Sequence, residues 1–165
     1  MTNESLLATL RHHFGETTFT DVEEPYGLLT VTIERERLLE VMRFLKEGGP
    51  SFTFLTTMCG VHYPNHLNRE LGMIYHLHNL PKNVRVRVKT FFPILDPVVP
   101  TLTNLWGAAN WMEREAYDFY GVLFPGHPNL IRILNVEDMT YFPMRKEYPL
   151  EDQSREDKTD SFFGR

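Results

Sequence analysis

The stretch WGAANWMEREAYDFYGVLFPGHPNLIRIL, residues 106–134, decides how the rest of the chain is read. Leu102, Leu105, Ala109, Met112, Ala116 and Phe119 recur at alternating steps of three and four, which is the apolar stripe of a helix lying on a core. At about 100° per residue, Trp111, Arg114 and Asp118 fall on the opposite side, one turn apart. A solvated back face rarely carries tryptophan. Trp106, Glu113, Tyr117 and Tyr120 line one flank and Glu115 the other, so this helix is expected to be covered twice, by its own sheet and by something else. Glu113 and Glu115 point about 200° apart and cannot share a substrate. Arg114 and Asp118, at i and i+4, are expected to form an ion pair under Trp111. Gly121 is placed to take a left-handed helix cap, and Pro125, Gly126, His127 and Pro128 force an irregular loop. Beyond it, Leu130, Ile131, Ile133 and Leu134 surround the single charge of Arg132, a pattern expected of buried chain.

The run from Glu113 through Arg114, Glu115, Ala116 and Tyr117 to Asp118, followed by Gly121, His127-Pro128, Leu130 and Arg132-Ile133-Leu134, resembles the signature of the C subunit of the bacterial respiratory NADH:quinone oxidoreductase, complex I. Two further landmarks carry the same resemblance, residues 60–64 (GVHYP) and 143–150 (PMRKEYPL). The sequence departs from the family pattern at His62, Met144 and Glu147, so no role is carried over at those three side chains.

A length of 165 residues with 42% hydrophobic content suits one domain with a real core. The net charge of −5 and pI near 5.8 exclude a nucleic-acid or anionic-lipid surface as the main partner. Apolar runs are too short to span a bilayer, and the first residues lack a basic start and apolar centre, so a cytoplasmic chain is expected. Cys59 is the sole cysteine, which rules out an internal disulfide and a four-thiolate iron–sulfur site within the chain. There is no glycine-rich run to hold a dinucleotide or triphosphate.

In chain order, a first helix is expected over residues 5–14, with Leu7, Leu10 and Phe14 on one side and Gly15 as its stop. A short strand over 17–20 leads to a turn at Glu24-Pro25-Tyr26-Gly27. A second strand follows over 28–33, with Leu29, Val31 and Ile33 facing one way and Thr30 and Thr32 the other. Residues 34–47 place Leu38, Val41, Met42 and Leu45 on one helical face, and Gly48-Gly49-Pro50 ends that helix. Three strands are expected over 52–58, 70–77 and 84–91, joined by short connections that favour antiparallel pairing. The fold class is therefore α+β, a largely antiparallel sheet with helices packed on it. Residues 1–134 are expected to form the compact domain and 135–165 an extended C-terminal arm. The last fifteen residues hold five acids and three bases, by themselves the composition of a disordered tail; the resemblance favours instead an arm laid over a partner, with Tyr141, Phe142, Tyr148, Phe162 and Phe163 as anchors.

Cys59, His62, His66, His76 and His78 invite a zinc reading and a small metal-dependent enzyme, yet no familiar zinc spacing is matched. His127 reads as a cap for backbone groups in its loop, and Arg85, Arg87 and Lys89 as a solvated sheet face. Arg145-Lys146 and Tyr148, between Pro143 and Pro149, fit a docking strand. The resemblance implies a cofactor-free structural subunit on the cytoplasmic side of the membrane, against the subunits called D, B and I, with FMN and iron–sulfur clusters in partner subunits and electrons passing from NADH to quinone. It places Trp111, Glu113, Arg114, Glu115, Tyr117, Asp118, His127, Pro128, Arg145, Lys146 and Tyr148 at the signature and interface. A related subunit of a membrane-bound hydrogenase or formate-oxidising complex fits the same signature.

Overall fold

The computed structural model describes residues 1–148. Its first element, α1 (Asn3–Phe14), is opened by a reciprocal cap: Ser5 N–H donates to Thr2 Oγ1, and Thr2 N–H donates to Ser5 Oγ. The helix thus starts two residues before the sequence-based boundary. It buries Leu6 and Leu10, with Leu7 and Phe14 partly covered. Residues 17 and 18, expected to open a strand, close instead with Glu16 into a single tight turn, and β1 runs Phe19–Glu23. After a turn in which Tyr26 takes φ 56°, β2 (Leu29–Ile33) returns antiparallel to β1.

The second helix, α2 (Arg35–Glu47), buries the expected Leu38, Val41, Met42 and Leu45. It carries the chain across to β3 (Phe54–His62), β4 (Leu71–Asn79) and β5 (Val84–Phe92). The strand order is β1-β2-β5-β4-β3, and every neighbour pair is antiparallel except β2 with β5. That parallel pair lies at the sheet's centre because β5 inserts between the β1–β2 and β3–β4 hairpins. It makes the domain a mixed five-stranded α/β sheet, in keeping with the α+β class. The strand at 52–58 is displaced to Phe54–His62. Phe52 N–H bonds to Leu45 at the end of α2, while Gly60 and Val61 remain in register with Met73 and Gly72. Thr30 and Thr32, on the face opposite Leu29, Val31 and Ile33, are buried too, flanked in register by Glu23, Arg87 and Lys89.

The linker through Pro93, Pro97 and Pro100 runs beside residue 123, Leu123 N–H donating to Pro97 and Val99 N–H to Leu123. Leu102, Leu105 and Trp106 are buried in turns ahead of the third helix, which forms only over α3 (Ala109–Tyr120) and packs on β3. The helix comes close there because Gly60 has no side chain; a Cβ would lie 2.4 Å from the Tyr120 ring. No helix among the described residues is long and apolar enough to cross a membrane. Residues 149–165 of the expected arm, Phe162 and Phe163 included, lie outside the described residues.

Candidate partner interface around the third helix

Two carboxylates of α3 are fully buried, and hydropathy assigned neither of them to the interior. Glu113 accepts from the Thr101 hydroxyl at 2.6 Å and from Leu102 N–H at 2.7 Å, so it holds the loop ahead of the helix against the helix itself. Burial pushes its carboxyl up to about 7, against the pull of those two donors toward the ionised form. A group whose folded value is raised adds stability below its unfolded value and loses it as the pH climbs through the folded one. The shift from 4.5 to about 7 corresponds to ~3 kcal/mol. Glu113→Gln keeps an acceptor for Leu102 and a partner for Thr101 but cannot titrate. Urea unfolding from pH 4.5 to 7.5 is therefore expected to show the wild type losing stability relative to that variant by about this amount. Parallel pH profiles would show that Glu113 is solvated.

Asp118 is the second buried carboxylate, and the expected Arg114–Asp118 pair does not form. Its oxygens accept instead from Arg132 Nη1 (2.7 Å), from the backbone N–H groups of Ile133 (3.1 Å), Leu134 (2.8 Å) and Asn135 (2.9 Å), and from Asn135 Nδ2 (3.0 Å). Burial raises the carboxyl, but the Asn135 and Leu134 amides, the Asn135 side chain and Arg132 outweigh it. Together they hold it well below the usual aspartate range. Arg114 lies over the Trp111 ring at 5.2 Å and donates to the carbonyls of Ile131 and Arg132. Arg132 therefore ties the returning segment to α3 from inside, and Arg114, on the helix, holds the segment's edge.

That segment inverts the expectation for residues 129–134. Arg132 is buried, while Ile131, Leu134 and Val136 are exposed, Leu134 at 67%. The reason is the charge balance: the buried Asp118 needs a cation, so the chain turns its arginine inward and Ile131 and Leu134 outward, while Leu130 stays packed on the core. The same wrap satisfies the end of the helix. A helix leaves its last four carbonyls without intrahelical partners. Here Tyr117 accepts from Gly121 N–H, Asp118 from Arg132 Nη1, Phe119 from Met144 N–H and Tyr120 from Arg145 Nε. Phe142 sits between the Arg132 and Arg145 guanidiniums, 5.3 and 4.7 Å from its ring centre, with Tyr117 edge-on to it.

The other expected site residues are scattered around this frame. Glu115 and Pro128 are exposed. His127 bridges Asn110 O and Asn129 N–H, the capping role its flanks imply. Lys146 donates its N–H to His62 Nδ1 and lies over Tyr63, while Tyr148 leans on Tyr141. Arg145, expected in a docking strand, is engaged within the chain at the end of α3. The cysteine and histidines do not converge. His76 accepts from Arg87, His78 meets Asn83 and His66 stacks on Tyr63. Among the described residues no three His, Cys, Asp or Glu side chains are placed to share an ion. Phe142, expected to anchor the arm on a partner, packs instead within the chain. Thr101 and Asn135, on which the arrangement depends, carried no functional signal in the sequence. Arg132 carried one: a lone charge in an apolar run requires a buried counter-charge.

What remains outward around α3 is Trp111, 62% exposed, beside Arg114, together with Ile131, Leu134 and Val136 on the returning segment. This is an apolar rim on a hydrogen-bonded frame, a composition that suits a protein interface.

Known proteins resemble this chain along most of its length. The family described as respiratory-chain NADH dehydrogenase, 30 Kd subunit, matches residues 31–154. The chain is 38% identical to the NADH-quinone oxidoreductase C subunit of Citrifermentans bemidjiense over 154 residues, covering 93% of this chain and 94% of that one. It is 42% identical to the NADH-quinone oxidoreductase C 2 subunit of Rhizobium etli over 145 residues, covering 87% and 75%. Among solved structures, the trypsin-resistant fragment (1-134) of Nqo5 is similar at 34% identity with a TM-score of 0.68, covering 79% of this chain and all of that one. A chain of the membrane-bound sulfane sulfur reductase, an archaeal respiratory membrane complex, shares the fold with a TM-score of 0.75 at 22% identity, covering 89% and 85%. With the family match spanning most of its length and relatives aligned nearly end to end, this chain belongs to the respiratory-chain NADH dehydrogenase 30 Kd subunit family, whose members include the C subunits of NADH-quinone oxidoreductase.

Proposed function

We propose that this chain is a cofactor-free structural subunit of the peripheral arm of a proton-translocating NADH:quinone oxidoreductase, on the cytoplasmic side of the membrane. It grips the neighbouring subunits called D, B and I, which with the rest of the arm carry FMN and iron–sulfur centres. Its contribution is geometric, keeping those centres within transfer range as electrons pass from NADH to quinone. The observation that carries this reading is the exposed rim of Trp111, Ile131, Leu134 and Val136, held on a frame in which every terminal carbonyl of α3 has a partner. A rigid apolar rim suits binding, because little conformational entropy is lost when it docks. Residues 135–165 extend the grip as an arm, with Lys146 and Tyr148 exposed on it and Glu115 exposed on α3.

Trp111→Ala tests the reading. Truncating an exposed side chain changes monomer stability by no more than about 0.5 kcal/mol, whereas an aromatic anchor at an interface contributes ~2 kcal/mol or more, roughly 30-fold in affinity. Membranes of the variant strain are expected to contain far less assembled complex, with NADH:quinone activity reduced in proportion. The purified variant chain should melt as the wild type does and oxidise no NADH. Assembly at the wild-type level would remove Trp111 from the interface.

A further inference from the structure

The two edges of the sheet are built differently. β1 carries Asp21 and Glu23 and a register irregularity at its start, the devices by which sheets discourage pairing with foreign strands. At the other edge β3 reads FLTTMCGVH over nine residues, with neither proline nor acid nor lysine. Its one irregularity lies between Leu55 and Thr57, so that Thr57 to His62 pair regularly with β4 and present a straight edge on the other side. Among the described residues nothing pairs with that edge. Beside it opens a cleft of about 200 Å³ between Met58 of β3 and Met112 and Phe119 of α3, with Met144 at its margin. Glu115, also at the cleft, is exposed and takes part in no ion pair among the described residues.

We infer that the β3 edge receives an extended segment of a partner protein as a sixth strand, whose apolar side chain enters the methionine-lined cleft and whose lysine or arginine meets Glu115. Unpaired main-chain groups specify an extended polypeptide, and the cleft and the lone carboxylate specify two of its side chains. A second copy of this chain fits poorly, because it brings a net charge of −5 and its own Glu115 to the same place. The inference rests on the reading of this chain as a subunit of a larger assembly.

Cys59, exposed on this strand and the only cysteine, reports on it. Alkylation by N-ethylmaleimide, followed on the Cys59 peptide by mass spectrometry, is expected to be at least about tenfold slower in the purified complex than in the isolated full chain, as a strand laid along β3 excludes the reagent. A photo-reactive phenylalanine analogue placed at Thr57 should, on irradiation of the complex, capture a peptide of another subunit that contains a lysine or arginine. Capture of a second copy or of this chain's own residues 149–165 would overturn the proposal, as would alkylation of Cys59 at the isolated-chain rate within an intact complex; the subunit reading survives all three. Failure of the chain to co-purify with any larger assembly sinks both.

Discussion

Asp118→Asn is expected to destabilise the isolated chain by about 3 kcal/mol, lowering its melting temperature by roughly 10 °C for a domain of this size. The substitution preserves shape and removes charge. It leaves the Arg132 guanidinium, whose side chain is 6% exposed, without its anion. It also turns an amide N–H toward a cluster of donors, since Asp118 receives the backbone N–H groups of residues 133, 134 and 135. Such an N–H at hydrogen-bond distance from another donor must rotate away and orphan at least one of them. The sign of the pH dependence gives a second readout. Because the folded aspartate is held below its ordinary value, its contribution is present above pH 3.8 and is lost as the pH falls through that value toward the folded one. Urea titrations should therefore separate wild type from variant at neutrality and narrow the gap by about 1 kcal/mol at pH 3. A neutral-pH loss below about 1 kcal/mol would mean that water replaces the carboxylate and that the wrap is loosely held.

This pair also marks where the sequence stopped being readable. The strands at β2, β4 and β5 and the helix α2 were legible because their apolar residues keep a period, and periodicity is a local property. The helix after residue 105 was legible as a helix, but its faces were not. Hydropathy ranks Glu113 and Asp118 as surface residues, and both are buried because a distant segment brings donors to them, Thr101 and Leu102 from one side and residues 132–135 from the other. Arg132 showed the inverse error. Its four apolar neighbours implied that the segment is inside, whereas one buried charge pair rotates the segment so that Ile131 and Leu134 face out. The Arg114–Asp118 pairing was drawn from helix spacing, a few tenths of a kcal/mol in water, and it loses to a buried acceptor that gains five hydrogen bonds from elsewhere. The parallel neighbours β2 and β5 were likewise out of reach, since nothing local in either strand records which hairpin it joins. The family signature spans these residues without stating which of them touch.

The second large effect is expected at Gly121, where α3 ends. Its φ of +74° is a backbone conformation that any side chain makes costly, ~1–2 kcal/mol, and a Cβ there would lie 2.5 Å from the Phe142 ring and 2.8 Å from Arg145 Nη2. Neither neighbour is free to move. Phe142 stands between two guanidiniums, and Arg145 caps Tyr120 O at 2.8 Å, so displacing either uncovers the end of the helix. Gly121→Ala is therefore expected to cost about 3 kcal/mol, strain and overpacking together. Gly27 has the same φ of +74° with nothing within 4 Å of the position a Cβ would take, so Gly27→Ala measures the strain alone. The difference between the two variants, ~1–2 kcal/mol, is the cost of pushing the returning segment off the helix. Hydrogen exchange assigns it a place: in Gly121→Ala the Met144 and Gly121 amides, bonded to Phe119 and Tyr117 in the wild type, should exchange faster while those of β4 and β5 do not. Equal losses in the two variants would mean that Phe142 and Arg145 yield at no cost, and the rim formed by Ile131, Leu134 and Val136 would then lack the rigid support that a docking surface needs. In the assembled complex the same variant should lose more occupancy than its stability difference from Gly27→Ala accounts for, because only the former loosens the segment that faces the partner.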